Sequence, residues 1–308
     1  IADGMSTDNT REIIEELAAN ANFPIHIVDN PKLIAPSGLN HALKKSTGDI
    51  IIRIDGHCEI ENTYVENCVD LLVSGKADGV GGPIQTIGET FLSRAIALAM
   101  SSTFGVGNSA FRTIDNREMF TDTVAFPGYT RKIIERAGAF DEELVRNQDD
   151  EYNYRIRELG GKILLSPNIR SLYFSRGTFR SLWRQYFQYG YWKVRVLQLH
   201  PRQMSYRQFV PFGFVTSLLW LGLLSLFWSL AVLLLIVLAL MYLSINFVAA
   251  MFAAKGRPAM AVAISLSFLI LHLSYGLGSL FGLIAFRNRW SHDTAQTGQL
   301  NRKPDLEL

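Results

Sequence analysis

Two long stretches without charged side chains decide what the C-terminal third of this chain can become. Residues 208–254 include no Asp, Glu, Lys or Arg, and residues 258–286 again include none. A helix needs about 20 apolar residues to cross a bilayer. The first stretch is therefore predicted to cross twice, at 209–227 and 228–251. The second is predicted to be one crossing or a re-entrant segment.

Basic residues beside these stretches predict the orientation of the chain, because Lys and Arg favour the cytoplasmic side of a membrane. Lys193, Arg195, Arg202 and Arg207 precede the first crossing, and Lys255 with Arg257 would return to the same side after a hairpin. The basic residues that follow 286 favour that side too. Either 258–286 does not cross fully, or the rule is broken at the tail.

The first 200 residues have a different pattern, in which short apolar runs alternate with helical periodicity. Residues 24–29 and 49–55 predict buried strands, and 8–21 predicts a helix. This alternation predicts an α/β fold with a mostly parallel sheet and helices on both faces. The predicted apolar face of the first helix consists of Ile13, Ile14, Leu17 and Ala18.

The division of the chain follows from these two patterns. We predict a first domain at 1–200, a membrane domain of two or three helices at 201–290 and a polar C-terminal tail at 291–308. The formal net charge is only +2, and the Lys and Arg residues are scattered. This distribution argues against a nucleic-acid surface.

Three stretches could carry chemistry, because ligands of such sheets bind at the carboxyl ends of the strands. In "ADGMSTDNT", Asp3 and Ser6 either contact a ligand or form a turn and a helix cap. In "IIRIDGHCE", Asp55 and His57 lie two apart in an extended segment, so their side chains point the same way. They are candidate ligands for Mn²⁺ or Mg²⁺, or else an acidic turn beside a solvated histidine.

The third stretch, "NQDDEYNYRIR", places three acids in the first turn of a predicted helix. A helix dipole favours carboxylates there, so they could serve the helix alone. The alternative is that Asp149 is a general base, exposed in a cleft, with its pKa held low by the dipole.

Together these stretches resemble family 2 glycosyltransferases with the GT-A fold. More narrowly, "IIRIDGHCEI", "FPGYTRKIIERAGAFDEELVRNQDDEYNYRIR" and "YGYWK" resemble the ExoA-like branch of succinoglycan biosynthesis. The resemblance implies that Asp3 contacts the nucleotide, that Asp55 and His57 form the DxD-type metal site, and that Asp149 is the catalytic base. Further substrate-binding positions on this reading are Ser6, Asp55, Gln148 and Asp150.

Departures from the family pattern shape the prediction. His57 replaces the second Asp of DxD, and Gln148 replaces the Glu that is common before the base. The Q-x-x-R-W box of processive synthases has no clean match, which favours transfer of a single sugar. The chain starts at the "DG" motif, so the first strand and helix of the family fold are expected to be missing.

The resemblance implies an inverting transfer from a nucleotide-sugar, UDP-glucose or another UDP-hexose, to a lipid-linked saccharide in exopolysaccharide synthesis. The enzyme would lie in the bacterial inner membrane as a multi-pass protein with its catalytic domain in the cytoplasm, beside other polysaccharide-assembly proteins. Arg176, Arg180 and Arg184 would clamp the diphosphate or meet membrane lipid, or else they form a solvated basic face before a membrane helix. The alternatives are a polyprenyl-phosphate glycosyltransferase and a non-catalytic membrane scaffold or transport component.

Overall fold

A computed structural model describes residues 1–290 of the chain; the tail predicted at 291–308 lies outside them. The strands are short. They are β1 Ala2–Asp3, β2 Val28–Asp29, β3 Ile50–Ile52, β4 Cys58–Ile60, β5 Gly79–Gly82, β6 Ile84–Ile87, β7 Met119–Phe120, β8 Ala125–Thr130, β9 Ile163–Leu165 and β10 Ser171–Phe174.

Helices connect these strands and form the whole C-terminal third of the described residues. They are α1 Thr10–Asn20, α2 Ala35–Lys45, α3 Tyr64–Val73, α4 Phe91–Met100, α5 Thr103–Val106, α6 Ala110–Thr113, α7 Arg131–Ala137, α8 Gln148–Glu158, α9 Phe179–Leu199, α10 Val210–Leu224, α11 Ser229–Ala254 and α12 Pro258–Ala285.

The α/β class is confirmed, but the main sheet is mixed, so the expectation of a mostly parallel sheet is wrong. Its five strands run in the order β3-β8-β5-β9-β7. Only β5 and β9 pair in parallel, whereas β8 is antiparallel to both of its neighbours. The sequence of β8, "AFPGYT", does not predict a central strand, because Pro and Gly are rare in such strands. Arg53 N donates to Pro127 O, so Pro127 still contributes an acceptor to the sheet.

Helices cover both faces of this sheet, as predicted. Successive side chains of a strand point to opposite faces, and β9 shows this directly. Ile163 and Leu165 pack in a cluster with α2, α7 and α8. Leu164 between them packs in the cluster that contains α3 and α4. Each such fully buried aliphatic side chain contributes about 1.5–3 kcal/mol to folding.

The N-terminal segment is much less buried. Strands β1 and β2 form a separate two-stranded parallel sheet, and the strand predicted at 24–29 is limited to its last two residues. The helix predicted at 8–21 is present as α1, but its predicted apolar face is covered only in part. Ile14 and Ala18 are half-buried, whereas Ile13 is 55% exposed and Leu17 60% exposed.

The three predicted apolar segments form α10, α11 and α12, each part of a stretch long and apolar enough to cross a membrane. The turn between α10 and α11 lies at 225–228, close to the predicted join. Helix α12 differs from the other two because half of its 18-residue apolar segment is buried inside the protein. It packs against α9 and α4 of the first domain.

Candidate active site

One cavity of about 980 Å³ joins the edge of the sheet at which β3 ends and β8 begins to the apolar helices. The β3–β4 connection places Asp55 and His57 in its wall, and the start of α8 adds Gln148, Asp149 and Asp150. The far wall is aromatic. It is lined by Phe214 of α10, Tyr242 of α11, and His272 and Tyr275 of α12.

Asp55 is held in a two-pronged ion pair with Arg53. The Arg53 Nε and Nη2 atoms donate to the two carboxylate oxygens at 2.8 and 2.9 Å. Both residues follow β3 and lie two apart, so their side chains leave the chain on the same side. A carboxylate keeps further lone pairs after binding a guanidinium, so Asp55 can still accept another ligand.

His57 lies against aromatic rings at the same end of the cavity. Its ring is edge-on to Tyr173, with centroids 5.5 Å apart. Burial lowers the pKa of His57, and the nearby Arg176 lowers it further, while Asp55 opposes the shift. The imidazole is therefore neutral at pH 7 and has a lone pair for a ligand.

Asp149 differs electrostatically from the expectation. Burial raises its pKa, and the charge of Asp150 raises it further, while Arg53 opposes the shift. The prediction that the helix dipole holds this pKa low is therefore wrong, because burial outweighs the helix terminus. A carboxylate with a raised pKa is a stronger base once it is ionised.

The other two acids of this turn are paired with cations. Asp150 forms an ion pair with the buried Lys193 of α9, which holds the pKa of Lys193 well above its usual range against the effect of burial. Glu151 binds Arg155 at 2.5 Å and His200 at 3.0 Å. Burial would raise the pKa of Glu151, but Arg155 and His200 together lower it to about 2. Among the acids of the first turn, only Asp149 has no cation partner in the described residues.

Gln148 presents an unsatisfied polar atom to the cavity. Its side chain is only 6% exposed, and its Oε1 atom has no hydrogen-bond partner among residues 1–290. An unpaired buried acceptor costs about 1–3 kcal/mol. A bound hydroxyl or amine group would relieve this cost, which fits the substrate-binding role predicted for Gln148.

The predicted arginines are divided between two surfaces. Arg184 lines the cavity, and also an adjoining groove along α9. Arg180 lines the groove but not the cavity, beside Trp183 and Trp192.

Asp3 and Ser6 are not among the residues that line the cavity. Asp3 ends β1, where it accepts hydrogen bonds from Ser6 Oγ at 2.5 Å and Arg11 Nε at 2.6 Å. These bonds lower the pKa of Asp3 to about 2.

The sequence interpretation missed four cationic or aromatic features that line the cavity. They are Arg53, Arg146, Lys193 and the aromatic wall formed by the apolar helices. The spacing of Arg53 and Asp55 could have revealed their pairing, since i and i+2 share one face of an extended segment. The sequence interpretation used Lys193 only as part of "YGYWK" and as one of the basic residues before the first crossing. Its pairing with Asp150 spans 43 positions of the chain, so no local pattern indicates it.

Known proteins resemble this chain over most of its length. The family model described as "Glycosyl transferase family 2" matches residues 1–138. Succinoglycan biosynthesis protein ExoA of Rhizobium meliloti is 31% identical over 213 residues, which are 68% of this chain and 64% of ExoA. The match thus spans slightly less than two thirds of ExoA.

A second relative comes from Methanococcus voltae and is named dolichyl N-acetyl-alpha-D-glucosaminyl phosphate 3-beta-D-2,3-diacetamido-2,3-dideoxy-beta-D-glucuronosyltransferase. It is 31% identical over 226 residues, covering 71% of this chain and 69% of the relative. Among solved structures, mannosyltransferase PcManGT of Pyrobaculum calidifontis has a TM-score of 0.57 at 16% identity. That match covers 90% of this chain and 76% of PcManGT, which shows a shared GT-A-like fold. The chain belongs to glycosyl transferase family 2 and is a glycosyltransferase.

Proposed function

We propose that this glycosyltransferase moves one sugar from a nucleotide-sugar to a lipid-linked saccharide during bacterial exopolysaccharide synthesis. The proposal rests on one observation, the single cavity that contains Asp149 and is also walled by α10, α11 and α12. A polar acceptor head can reach the carboxylate there while its lipid stays beside apolar helices. The donor is a UDP-hexose, with UDP-glucose as the first candidate.

The division of labour follows the sequence prediction. Residues 1–200 form the catalytic domain on the cytoplasmic side of the inner membrane, and 201–290 form the membrane domain. Asp149 takes a proton from the acceptor hydroxyl as that oxygen attacks the anomeric carbon. A single displacement inverts this centre, so an α-linked donor gives a β-linked product. The name of the Methanococcus voltae relative records a β linkage, in accord with this chemistry.

The residues near Asp55 suit a divalent cation, Mn²⁺ or Mg²⁺. Asp55 offers carboxylate oxygen and His57 a neutral imidazole, and both face the cavity. No cluster of three His, Cys, Asp or Glu residues suitable for a metal occurs within 1–290, so donor phosphates and water would complete the coordination. When bound, the cation supplies positive charge to the leaving diphosphate. The PcManGT structure holds GDP-Man with Mn²⁺.

The arginines around His57 support the same end of the cavity as the diphosphate site. Arg146 and Arg176 both line the cavity, and the charges of both act on His57. One guanidinium group can donate two parallel hydrogen bonds to two oxygens of a phosphate. Arg184 lies where the cavity meets the groove, so it serves the donor diphosphate or the phosphate of the lipid carrier. Asp3 and Ser6 keep their proposed role at the nucleotide.

The runner-up function is transfer to a bare polyprenyl phosphate. An ionised phosphate needs no base, whereas Asp149 has the raised pKa of a base. Membership of a glycosyltransferase family argues against the non-catalytic scaffold.

Labelled UDP-glucose is incubated with the full chain and either a polyprenyl diphosphate saccharide or polyprenyl phosphate, with and without Mn²⁺. We expect label on the saccharide only, and only with the cation. Label on the bare phosphate alone would favour the runner-up.

A further inference from the structure

We infer that α10, α11 and α12 lie within the membrane leaflet that faces the catalytic domain, and that none of them emerges on the opposite side. The surface they form is a docking surface for the acyl chains of one leaflet. This inference concerns the membrane helices and holds whichever sugar is transferred.

The burial of α12 is the first observation. The helix has 28 residues, so it is about 42 Å long. Its buried residues run from Met260 near one end to Gly282 near the other, and it packs on α4, α5 and α9 of the catalytic domain. Helices α10 and α11 cover part of α12 as well, but its contacts with α5 and α9 run from Phe268 to Gly282. A helix that lies along a polar domain over this length does not run through a bilayer beyond that domain.

The two faces of α12 fit an in-plane position. On the inner face, a Cβ at Gly278 would meet the backbone of Phe187, and α9 therefore approaches α12 closely there. The outer face stays exposed and apolar, with Val262, Leu266, Phe281 and Ile284. The inner stripe of α12 thus contacts the catalytic domain, while the outer stripe is free to contact the acyl chains of a single leaflet.

The hairpin of α10 and α11 is the second observation. Phe214 stacks on Tyr242 with ring centroids 4.3 Å apart. Tyr242 bonds to His272 Nδ1 at 2.9 Å, and His272 Nε2 lies 2.9 Å from Phe104 O of the catalytic domain. The base of the hairpin is therefore fixed at the level of that domain.

Beyond the Phe214–Tyr242 pair the hairpin consists of 215–224 of α10 and 229–241 of α11, and the longer arm is about 20 Å of helix. The hydrocarbon core of a bilayer is about 30 Å thick. The hairpin tip consists of Leu226, Phe227 and Trp228, which are 74%, 76% and 66% exposed. The tip carries no charged residue that requires the far headgroups, so it can end inside the lipid.

The basic residues agree with this placement and remove the conflict found in the sequence. Arg207, before α10, pairs with Asp122 of the catalytic domain at 2.7 Å. Arg289, after α12, pairs with Glu143 of the same domain. Lys255 and Arg257 lie between α11 and α12. With no full crossing, all three basic groups stay on the cytoplasmic side, as the positive-inside rule requires.

Cysteine labelling tests this inference in the full chain. The parent carries Cys58→Ser and keeps Cys68, which is fully buried. Single variants add Ser229→Cys at the hairpin tip, Ala259→Cys at the start of α12, Asn288→Cys after its end, or Ser74→Cys on the catalytic domain as the cytoplasmic control. A membrane-impermeant maleimide is added to right-side-out or inverted inner-membrane vesicles, and labelling is normalised to that in detergent.

We expect Ala259→Cys and Asn288→Cys to label like Ser74→Cys, in inverted vesicles only, and Ser229→Cys to label in neither preparation. Labelling of Asn288→Cys only in right-side-out vesicles would show that α12 crosses the membrane. Labelling of Ser229→Cys in right-side-out vesicles would show that the hairpin reaches the far side. Either result overturns the inference.

Discussion

The first turn of α8 has two sides, and the surroundings on each side shift the pKa values of the acidic residues in opposite directions. On the side towards α9, Glu151 is saturated by Arg155 and His200, and its pKa falls to about 2. On the side towards the cavity, Asp149 has no cation partner in the described residues, and its pKa is raised by burial. The side-chain oxygen of Gln148 beside it has no hydrogen-bond partner within 1–290. One turn of helix thus separates groups that hold the fold from groups left free for substrate.

The largest expected effect breaks the cavity side. Asp149→Asn keeps the shape of the side chain but cannot accept a proton, so transfer should fall by about 10²–10⁴-fold. Stability should not fall, because burial and the repulsion from Asp150 outweigh the attraction of Arg53 for the charged carboxylate. Initial transfer rates and the thermal midpoint of the full chain check both parts. A loss of activity that accompanies a large loss of stability would place Asp149 with the structural groups.

A substitution on the side towards α9 should instead lower the free energy of unfolding. Glu151→Gln leaves the buried cation Arg155 and the buried His200 without their carboxylate, which costs about 3–5 kcal/mol of unfolding free energy. Glu158→Gln is the matched control on the same helix. Glu158 also lies 2.9 Å from His200, but its side chain is 35% exposed, so its loss should cost less than about 1 kcal/mol. Denaturant unfolding measures both, and equal costs would contradict the comparison.

Asp150 lies between the two sides and should behave as a structural group. Asp150→Asn leaves the buried Lys193 unpaired, which should lower stability by about 1.5–3 kcal/mol. Transfer should fall far less than in Asp149→Asn. Adding Lys193→Met removes the stranded charge and should restore part of the stability. If Asp150→Asn is inactive while Asp149→Asn remains active, the base is one residue further along α8.

The smallest effect concerns pH. Burial alone would lower the pKa of His200, but the hydrogen bond and charge of Glu151, and then Glu158, raise it above 6.5. Its contribution to stability is therefore complete below pH 6.5 and is lost as the pH rises through the folded-state value. The pKa of His57 is lowered, so the folded state favours its neutral form. His57 therefore makes the fold less stable as the pH falls below 6.5. The thermal midpoint should fall on the alkaline side, and His200→Gln should flatten that decline.

Local sequence patterns predicted the features that depend on neighbouring residues. The charge-free stretches predicted α10–α12, and the clustered acids predicted the start of α8. Features that depend on distant residues were missed. Burial by distant residues, and then the charge of Asp150, raise the pKa of Asp149. They outweigh Arg53, about a hundred positions away, so the helix dipole alone gave the wrong direction. The exposure of Ile13 likewise depends on which elements fail to cover α1.

The central claim is that Asp149 takes the proton, and the pH dependence of transfer tests it most directly. Initial rates at saturating donor and acceptor are measured for the full chain and for Asp149→Asn as the pH is lowered. Because the pKa of Asp149 is raised above 3.8, the rate of the natural chain should begin to fall at a higher pH than an ordinary Asp would give. The variant should show a low rate without this acidic limb. An unchanged acidic limb in Asp149→Asn would show that another group accepts the proton.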